Sequence, residues 1–136
     1  MNAVDTNILI YVHDYRETVK RELAESLIET LTDAVLLWQV ACEYIAVSRK
    51  LEPFGYSRQK AWEDLRKLRS LWTTQLPTWN VLSRAEDLTQ HYSLSSWDAL
   101  IIAACLEGGV TRLYSEDFDE SVHAEGIEVV NPFAAP

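Results

Sequence analysis

Short apolar runs alternate with longer amphipathic segments along the chain. The apolar runs predict strands at residues 2–5, 35–37, 79–82, 112–115 and 127–130. The amphipathic segments predict helices at residues 17–32, 38–50, 57–72, 83–92 and 96–108, several of which follow a serine that can cap them. The apolar residues 8–12 fit either a short buried helix or a continuation of the first strand, because periodicity alone does not separate the two.

This alternation predicts an α/β fold of three layers (α/β/α) with a central, mostly parallel sheet, because parallel strands need helical crossovers that cover both faces. A chain of 136 residues is long enough for one such domain and too short for two. We therefore expect a single domain spanning residues 1–136. In open sheets of this kind, sites form at the carboxyl ends of the strands.

Two aspartates combine such a position with apolar surroundings. Asp5 directly follows the first strand, and no lysine or arginine lies within ten residues of it. Asp98 opens a helix that is apolar on nearly every side, so we expect its side chain to be buried. A buried carboxylate is costly unless it is paired or bound to a metal ion. Each also has a purely structural interpretation: Asp5 as a helix cap, and Asp98 as the acid of a capping box with Ser95.

Glu43 and Asp117 are weaker candidates when each is taken singly. Glu43 shares a helix face with polar neighbours and fits a residue that faces water. Asp117 follows the strand 112–115 in an acidic turn, where local hydrogen bonding alone favours such residues. Together with Asp5 and Asp98 they supply the oxygen ligands that select Mg²⁺ or Mn²⁺. Such ions promote phosphodiester cleavage by activating water and stabilising charge on the phosphate.

The cysteines and histidines offer no competing chemistry. Cys42 and Cys105 lie in apolar helical stretches, which predicts buried free thiols and a reducing compartment. His13, His91 and His123 show no zinc-binding spacing and are interpreted as surface or packing residues. The apolar runs fall short of the roughly 20 residues that span a bilayer, and the first residues lack the features of a signal peptide. We therefore expect a cytoplasmic protein with no membrane partner.

The net charge of −9 argues against a polyanionic partner, but its distribution weakens that argument. Residues 49–69 contain seven basic and three acidic side chains, which gives this segment a charge of +4. Such a segment is either a phosphate-binding surface or a solvated helix face. Trp62 and Trp72 share an apolar stripe in the same region and are predicted to lie in the core or in a dimer interface.

Several segments, in order and over essentially the whole chain, carry a family resemblance. They are Val4-Asp5-Thr6-Asn7-Ile8-Leu9, then Glu43 in a helix, then Ser96-Trp97-Asp98-Ala99-Leu100-Ile101-Ile102-Ala103-Ala104, then Leu113-Tyr114-Ser115-Glu116-Asp117-Phe118, and finally Asn131-Pro132-Phe133. The first and third are the most specific. With these segments the chain resembles the PIN-domain family, in particular its short VapC-type toxins.

The resemblance implies a PIN-like fold and a metal-dependent endoribonuclease toxin inhibited by a cognate protein antitoxin. It implies that Mg²⁺ or Mn²⁺ is held by four catalytic acids, namely Asp5, Glu43, Asp98 and Asp117. Thr6, Asn7 and Ser115 would support the site, although the family usually has threonine at the last of these positions. Glu116 and Asp119 compete with Asp117 for the role of fourth acid.

The resemblance also implies three partners: an RNA substrate, an antitoxin that inserts a basic residue among the acids, and a second copy in a homodimer. The residues expected to contact the RNA backbone are Arg49, Lys50, Arg66 and Arg69. Stacking on the RNA by Trp62 or Trp72 is the alternative to their place in the core or in a dimer interface.

Two other functions are compatible with parts of the pattern. A phosphoryl-transfer domain of the receiver or haloacid-dehalogenase type also keeps aspartates at strand ends, but it needs a late lysine or an Asp-x-Asp pattern. Here the first strand leads into Asp5-Thr6-Asn7, and the last basic residue is Arg112. A catalytically inactive PIN-like interaction module would use the acids only to bind a basic protein segment. Metal binding separates this module from a nuclease, because a ligand of the native state raises the melting temperature.

Overall fold

Five short strands and six helices make up the secondary structure. The computed structural model describes residues 1–118, 123 and 125–134. The strands are β1 (Asn2–Val4), β2 (Ala34–Leu37), β3 (Thr73–Gln75), β4 (Arg112–Tyr114) and β5 (Glu128–Val130). The helices are α1 (Thr6–Tyr11), α2 (Thr18–Thr30), α3 (Trp38–Val47), α4 (Arg58–Leu71), α5 (Trp79–His91) and α6 (Ser96–Glu107), with a 3-10 helix (Ser48–Phe54) between α3 and α4.

The strands form one parallel sheet in the order β3-β2-β1-β4-β5. In the centre of the sheet, Ala3 is in register with Val35 on one side and with Leu113 on the other. Right-handed crossovers in this order place α1 to α4 on one face of the sheet, and α5 and α6 on the other. The packing agrees, because α1 contacts α2 and α3, α3 contacts α4, and α5 contacts α6. The predicted three-layer α/β/α architecture with a mostly parallel sheet is confirmed.

The core lies on both faces of the central strands. β2 reads Ala-Val-Leu-Leu without alternation, and its last three residues are buried, as expected for a strand covered on both sides. Helix α6 is apolar around its circumference, and from Ala99 to Cys105 every residue except Leu100 is buried. The expectation of a buried free thiol is confirmed for Cys105 and wrong for Cys42, which is exposed on α3.

Side-chain caps begin four of the six helices. Asp5 accepts from the Thr6 N–H at the start of α1, which settles the open choice for residues 8–12 in favour of a helix. Ser57 and Ser95 cap α4 and α6 as predicted. Thr78 caps α5 by accepting from the Val81 N–H. Each such cap satisfies a backbone donor that the first helical turn leaves unpaired.

The predicted strand at residues 79–82 is wrong. These residues form the first turn of α5, which begins at Trp79 and not at residue 83. The buried residues Val81, Ala85 and Leu88 follow helical spacing, whereas Trp79 is 82 % exposed. The actual edge strand is β3, Thr-Thr-Gln, which carries no apolar signal because its only strand neighbour is β2.

Two further expectations on the α3–α4 side of the sheet are corrected. The helix predicted for residues 38–50 ends at Val47, and the 3-10 helix that follows contains Pro53. Trp72 packs against the core, which was one of the two predicted places. Trp62 is 45 % exposed and lies outside the core, so for this residue the dimer interface stays a prediction. Within the described residues, no helix combines the length and the apolarity needed to cross a membrane.

Truncating a core side chain of a central strand should destabilise the fold strongly. Leu113 on β4 is fully buried, so Leu113→Ala is expected to lower the free energy of unfolding by about 2–5 kcal/mol through lost burial and the cavity left behind. The matched control is Leu71→Ala, because Leu71 is 74 % exposed and its truncation should change stability by no more than about 0.5 kcal/mol. Urea denaturation measures both. Equal losses would contradict the placement of Leu113 in the core.

Candidate metal centre at the carboxyl edge of the sheet

The candidate site lies where the sheet changes winding direction. The chain leaves β1 toward β2 on one side and returns to β4 on the other, so the loops after β1 and β4 diverge and open a crevice between them. Asp5 follows β1 and Ser115 follows β4. The Asp5 N–H donates to the Tyr114 carbonyl at 2.8 Å, which extends the ladder to the edge of the crevice. Fold topology alone therefore brings these two loops together.

Asp5 is the most constrained acid of the site. Its Oδ1 accepts from the Thr6 N–H at 2.7 Å, and its Oδ2 accepts from the Ser115 hydroxyl at 2.8 Å. The residue is only 8 % exposed. Burial raises the pKa of Asp5 from 3.8 to about 6, the two hydrogen bonds lower it, and the nearby charges of Glu43 and Asp117 raise it further. The carboxylate is thus fixed in position and held in a setting that disfavours its charge.

Asp117 joins this arrangement through Asn7 and Ser115. The Asn7 Nδ2 donates to the Asp117 Oδ2 at 2.9 Å and lies 3.4 Å from the Ser115 Oγ. The Asp117 N–H donates to the same Ser115 Oγ at 3.2 Å. One hydroxyl therefore ties together the acids that follow two strands, which is the supporting position expected for Ser115. Serine makes these bonds without the methyl group of a threonine.

Glu116 does not bond to Asp5 but to two other side chains. It accepts from the Tyr11 hydroxyl at 2.6 Å through Oε1 and from the Lys20 ammonium at 3.0 Å through Oε2. Asp119, the other candidate for the fourth acid, lies outside the described residues. Of the two that the structure describes, only Asp117 lines the cavity beside Asp5.

A cavity of about 250 Å³ opens above Asp5. Four acids line it, namely Asp5, Asp14, Glu43 and Asp117, together with Thr6, Asn7, Ile10, Tyr11 and Val47, and no basic side chain is among these lining residues. Asp14 is already neutralised from outside by Arg16, whose guanidinium contacts both its oxygens. The buried Oδ1 of Asn7 has no hydrogen-bond partner in the described part of the chain. Among the residues that the structure describes, the cavity therefore lacks positive charge, and one of its lining residues, Asn7, has an oxygen acceptor without a partner.

The sequence analysis missed Tyr11 and Asp14. Tyr11 lies one turn after Asn7 on α1, at the spacing i, i+4, whereas Asp14 lies three residues beyond the end of that helix. The spacing of Tyr11 was readable once residues 8–12 were assigned to a helix. The hydroxyl of Thr6, expected to support the site, is buried without a hydrogen-bond partner among the described residues, whereas its N–H donates to the Asp5 carboxylate.

Asp98 stands apart from the other three predicted ligands. It occupies the first turn of α6, and its N–H donates to the Ser95 Oγ at 3.1 Å, as the capping interpretation expected. The expectation of a buried side chain is wrong, because Asp98 is partly exposed. Asp98 does not line the cavity. Across residues 1–118, 123 and 125–134, no three His, Cys, Asp or Glu side chains stand close enough to hold a metal ion.

The four predicted RNA-binding residues fall into two groups. Arg49 and Lys50 lie in the 3-10 helix after α3, where Arg49 forms an ion pair with Glu52 at 3.1 Å. Arg66 and Arg69 lie on α4 and line a separate groove beside α3. The basic segment is therefore not one continuous patch around the acids.

Removing the buried charge of Asp5 should stabilise the metal-free protein. The pKa of Asp5 is higher in the folded chain than in the unfolded one, so ionisation opposes folding as the pH rises above 3.8 and does so fully above about 6. In EDTA, Asp5→Asn is expected to raise the free energy of unfolding by about 3 kcal/mol at pH 8 and by roughly half as much at pH 5. The exposed Asp87→Asn is the control and should show no such dependence. Equal stability of Asp5→Asn and the unmodified chain at pH 8 would refute the burial argument.

Comparison with known proteins identifies the family of this chain. The family model "PIN domain" matches residues 3–125. No curated protein sequence matches the chain. Among solved structures, a toxin–antitoxin complex from Klebsiella pneumoniae is similar at 20 % identity with a TM-score of 0.72, covering 99 % of this chain and 100 % of that one.

Two further structures show the same fold at low identity. FitAcB from Neisseria gonorrhoeae has 17 % identity and a TM-score of 0.73 over 99 % of this chain and 100 % of that one. VapC20 from Mycobacterium tuberculosis, a toxin that cleaves the sarcin–ricin loop, has 18 % identity and a TM-score of 0.69 over 93 % of this chain and 96 % of that one. The family match spans most of the sequence, and the chain belongs to the PIN domain family.

Proposed function

We propose that the chain is a metal-dependent endoribonuclease and acts as the toxin of a toxin–antitoxin pair. The observation that carries this proposal is the cavity at the switch point of the sheet, which Asp5, Glu43 and Asp117 line without a basic side chain. Such a cluster is stable only when its charge is offset, and oxygen ligands select a hard divalent cation. The similarity to solved toxins, one of which cleaves the sarcin–ricin loop, agrees in fold.

The residues present fit Mg²⁺ or Mn²⁺. Asp5, Glu43 and Asp117 supply carboxylate oxygens, and the free Oδ1 of Asn7 adds a neutral one. The raised pKa of Asp5 indicates that the folded chain stores an electrostatic cost that a cation would relieve. When bound, the metal would lower the pKa of a water and stabilise charge on the scissile phosphate.

The chain's own contribution is to fix the ligands before any cation binds. The Ser115 hydroxyl and the Thr6 N–H hold both oxygens of Asp5, so its rotamer is set by the fold. Asn7 holds Asp117 by donating to its Oδ2, and the other carboxylate oxygen of Asp117 takes no part in this hydrogen bond. We include Asp98 as the fourth ligand because α6 begins at the same edge of the sheet and contacts α3, which carries Glu43. It completes the catalytic set of Asp5, Glu43, Asp98 and Asp117.

The proposed partners follow from charge. An RNA backbone would be held by Arg49, Lys50, Arg66 and Arg69, while the acidic cavity would accept a basic side chain of an antitoxin. The second role rests on the electrostatics of the cavity and on likeness in fold to toxin–antitoxin complexes. We further propose a homodimer and a cytoplasmic location.

One observation favours a second candidate function. Among the described residues, the acids do not converge closely enough to hold a metal ion, as a catalytically inactive interaction module would also show. In such a module, the cavity would bind only a basic protein segment.

Metal binding by the folded protein separates these two functions. Mn²⁺ is expected to raise the melting temperature of the unmodified chain, because a ligand of the native state stabilises it by an amount that grows with the logarithm of its concentration over the dissociation constant. Asp117→Asn should lose most of this rise, whereas Glu116→Gln should retain it, because Glu116 is engaged by Tyr11 and Lys20. Differential scanning fluorimetry with and without EDTA measures the shift. A melting temperature that ignores Mn²⁺ would favour the interaction module.

Cleavage itself is tested with purified, antitoxin-free protein and total bacterial RNA in Mn²⁺ or Mg²⁺. We expect discrete cuts that EDTA abolishes, a loss of about 100-fold or more in rate for Asp117→Asn, and less than about 10-fold for Glu116→Gln. Asp98→Asn decides whether Asp98 belongs to the site: a loss matching that of Asp117→Asn places it there, and an unchanged rate removes it. Cuts that persist in EDTA would contradict a metal-dependent mechanism.

A further inference from the structure

A second groove, separate from the acids, runs between α3, α4 and β3. It has a volume of about 460 Å³. Trp38 from α3 and Trp62 from α4 line it, together with Arg66 and Arg69. Each tryptophan is 45 % exposed. Indole rings exposed to this extent on facing helices form an unusual monomer surface, because large aromatic side chains are normally buried by a partner.

The sequence of α4 directs basic and aromatic side chains to the same side of that helix. Trp62 and Arg66 are four residues apart, and Arg69 follows three residues later, which places all three along one face. Within the part of the chain that the structure describes, neither Arg66 nor Arg69 forms an ion pair. By contrast, Lys60 on another face of α4 pairs with Asp64 at 3.1 Å. The groove therefore presents uncompensated positive charge in a chain of net charge −9.

Helix α3 connects this groove to the acidic cavity. Trp38 and Glu43 are five residues apart, which corresponds to about 7.5 Å along the helix axis and about 140° around it. Cys42 and Ala46 are exposed on α3 between these directions, and their side chains are small and uncharged. An extended polymer can therefore cross α3 from the acids to the groove without meeting a bulky or acidic side chain on this face.

We propose that the groove binds unpaired nucleotides of the RNA substrate, with bases stacking on Trp38 and Trp62 and phosphates contacting Arg66 and Arg69. The inference rests on the proposed nuclease function and adds to it the groove whose side chains would bind the RNA. Aromatic side chains stack on any exposed base, and arginines follow the backbone, which is how sequence-tolerant single-strand sites work. Bases within an A-form duplex are not available for stacking, so the groove selects loops and single strands.

The test measures binding separately from cleavage. A fluorescent single-stranded RNA of mixed sequence and its duplex are titrated with the full chain in EDTA, and anisotropy reports the dissociation constants. We expect the single strand to bind more tightly and to quench tryptophan fluorescence. Trp62→Ala and Trp38→Ala should each weaken single-strand binding roughly 5- to 150-fold, and Trp62→Phe should restore much of it.

The matched control is Trp79→Ala. Trp79 is 82 % exposed and lies on α5, outside the residues that line the groove, so its removal should leave RNA binding unchanged. Arg66→Gln keeps both indoles and tests the phosphate contact independently. It should reduce the slope of log K against log salt by about 0.7. Circular dichroism confirms that each variant is folded.

The outcomes separate this inference from the proposed function. If Trp38→Ala and Trp62→Ala leave RNA binding unchanged while the protein still cuts RNA, the groove proposal is overturned and the nuclease proposal stands. If single strands bind in a way that depends on the tryptophans but no metal-dependent cuts appear, the groove proposal stands and the nuclease proposal is overturned. Equal binding of single strand and duplex overturns the groove, and so does a change only in self-association or in antitoxin binding, since either marks a protein interface.

Discussion

The hydrogen bond from the Ser115 hydroxyl to the Asp5 carboxylate joins the loops that follow the two central strands. It spans 110 residues of sequence, so it exists only when β1 and β4 are paired in register, Val4 beside Tyr114. The same hydroxyl accepts from the Asp117 N–H, which fixes the second acidic loop against the first. The acidic cavity is therefore a direct consequence of sheet pairing, and disturbing the register would disperse its ligands.

This constraint has an electrostatic cost that the fold offsets only in part. The two hydrogen bonds to Asp5 lower its pKa, yet burial and the neighbouring acids still hold it at about 6. Burial also raises the pKa of the Cys105 thiol on α6 to about 12, and the charge of Asp5 contributes to this rise. The thiol is therefore inert, and α6 supplies apolar packing beneath Asp5. The fold thus gives up stability to hold Asp5 in a fixed position, which is common in functional sites.

The sequence predicted those parts of the fold that rest on local signals. Strands β1, β2, β4 and β5 are apolar, and the caps at Ser57 and Ser95 are chemical, so both were readable. The sequence did not predict strand β3, because an edge strand of two threonines and a glutamine shows no burial pattern. The apolar residues from Trp79 onward were assigned to a strand instead, although they begin helix α5. Asp5 and Asp117 were found from their places after strands. The choice between Asp117 and Glu116 needed tertiary structure, because the ammonium that engages Glu116 belongs to Lys20, 96 residues away.

The distribution of charge reconciles an acidic chain with the proposed RNA substrate. The acids and the uncompensated arginines occupy different sides of α3, so a nucleic acid would meet repulsion at the cavity and attraction at the groove. A divalent cation in the cavity would reverse the first of these effects, and binding linkage then requires that RNA strengthen the cation's affinity by the same factor. The basic side chain of a protein partner would satisfy the same acids and displace the cation. Inhibition and catalysis would thus compete for one set of carboxylates, and the position of Asp98 relative to that set decides whether the cavity holds a metal ion tightly enough to cut.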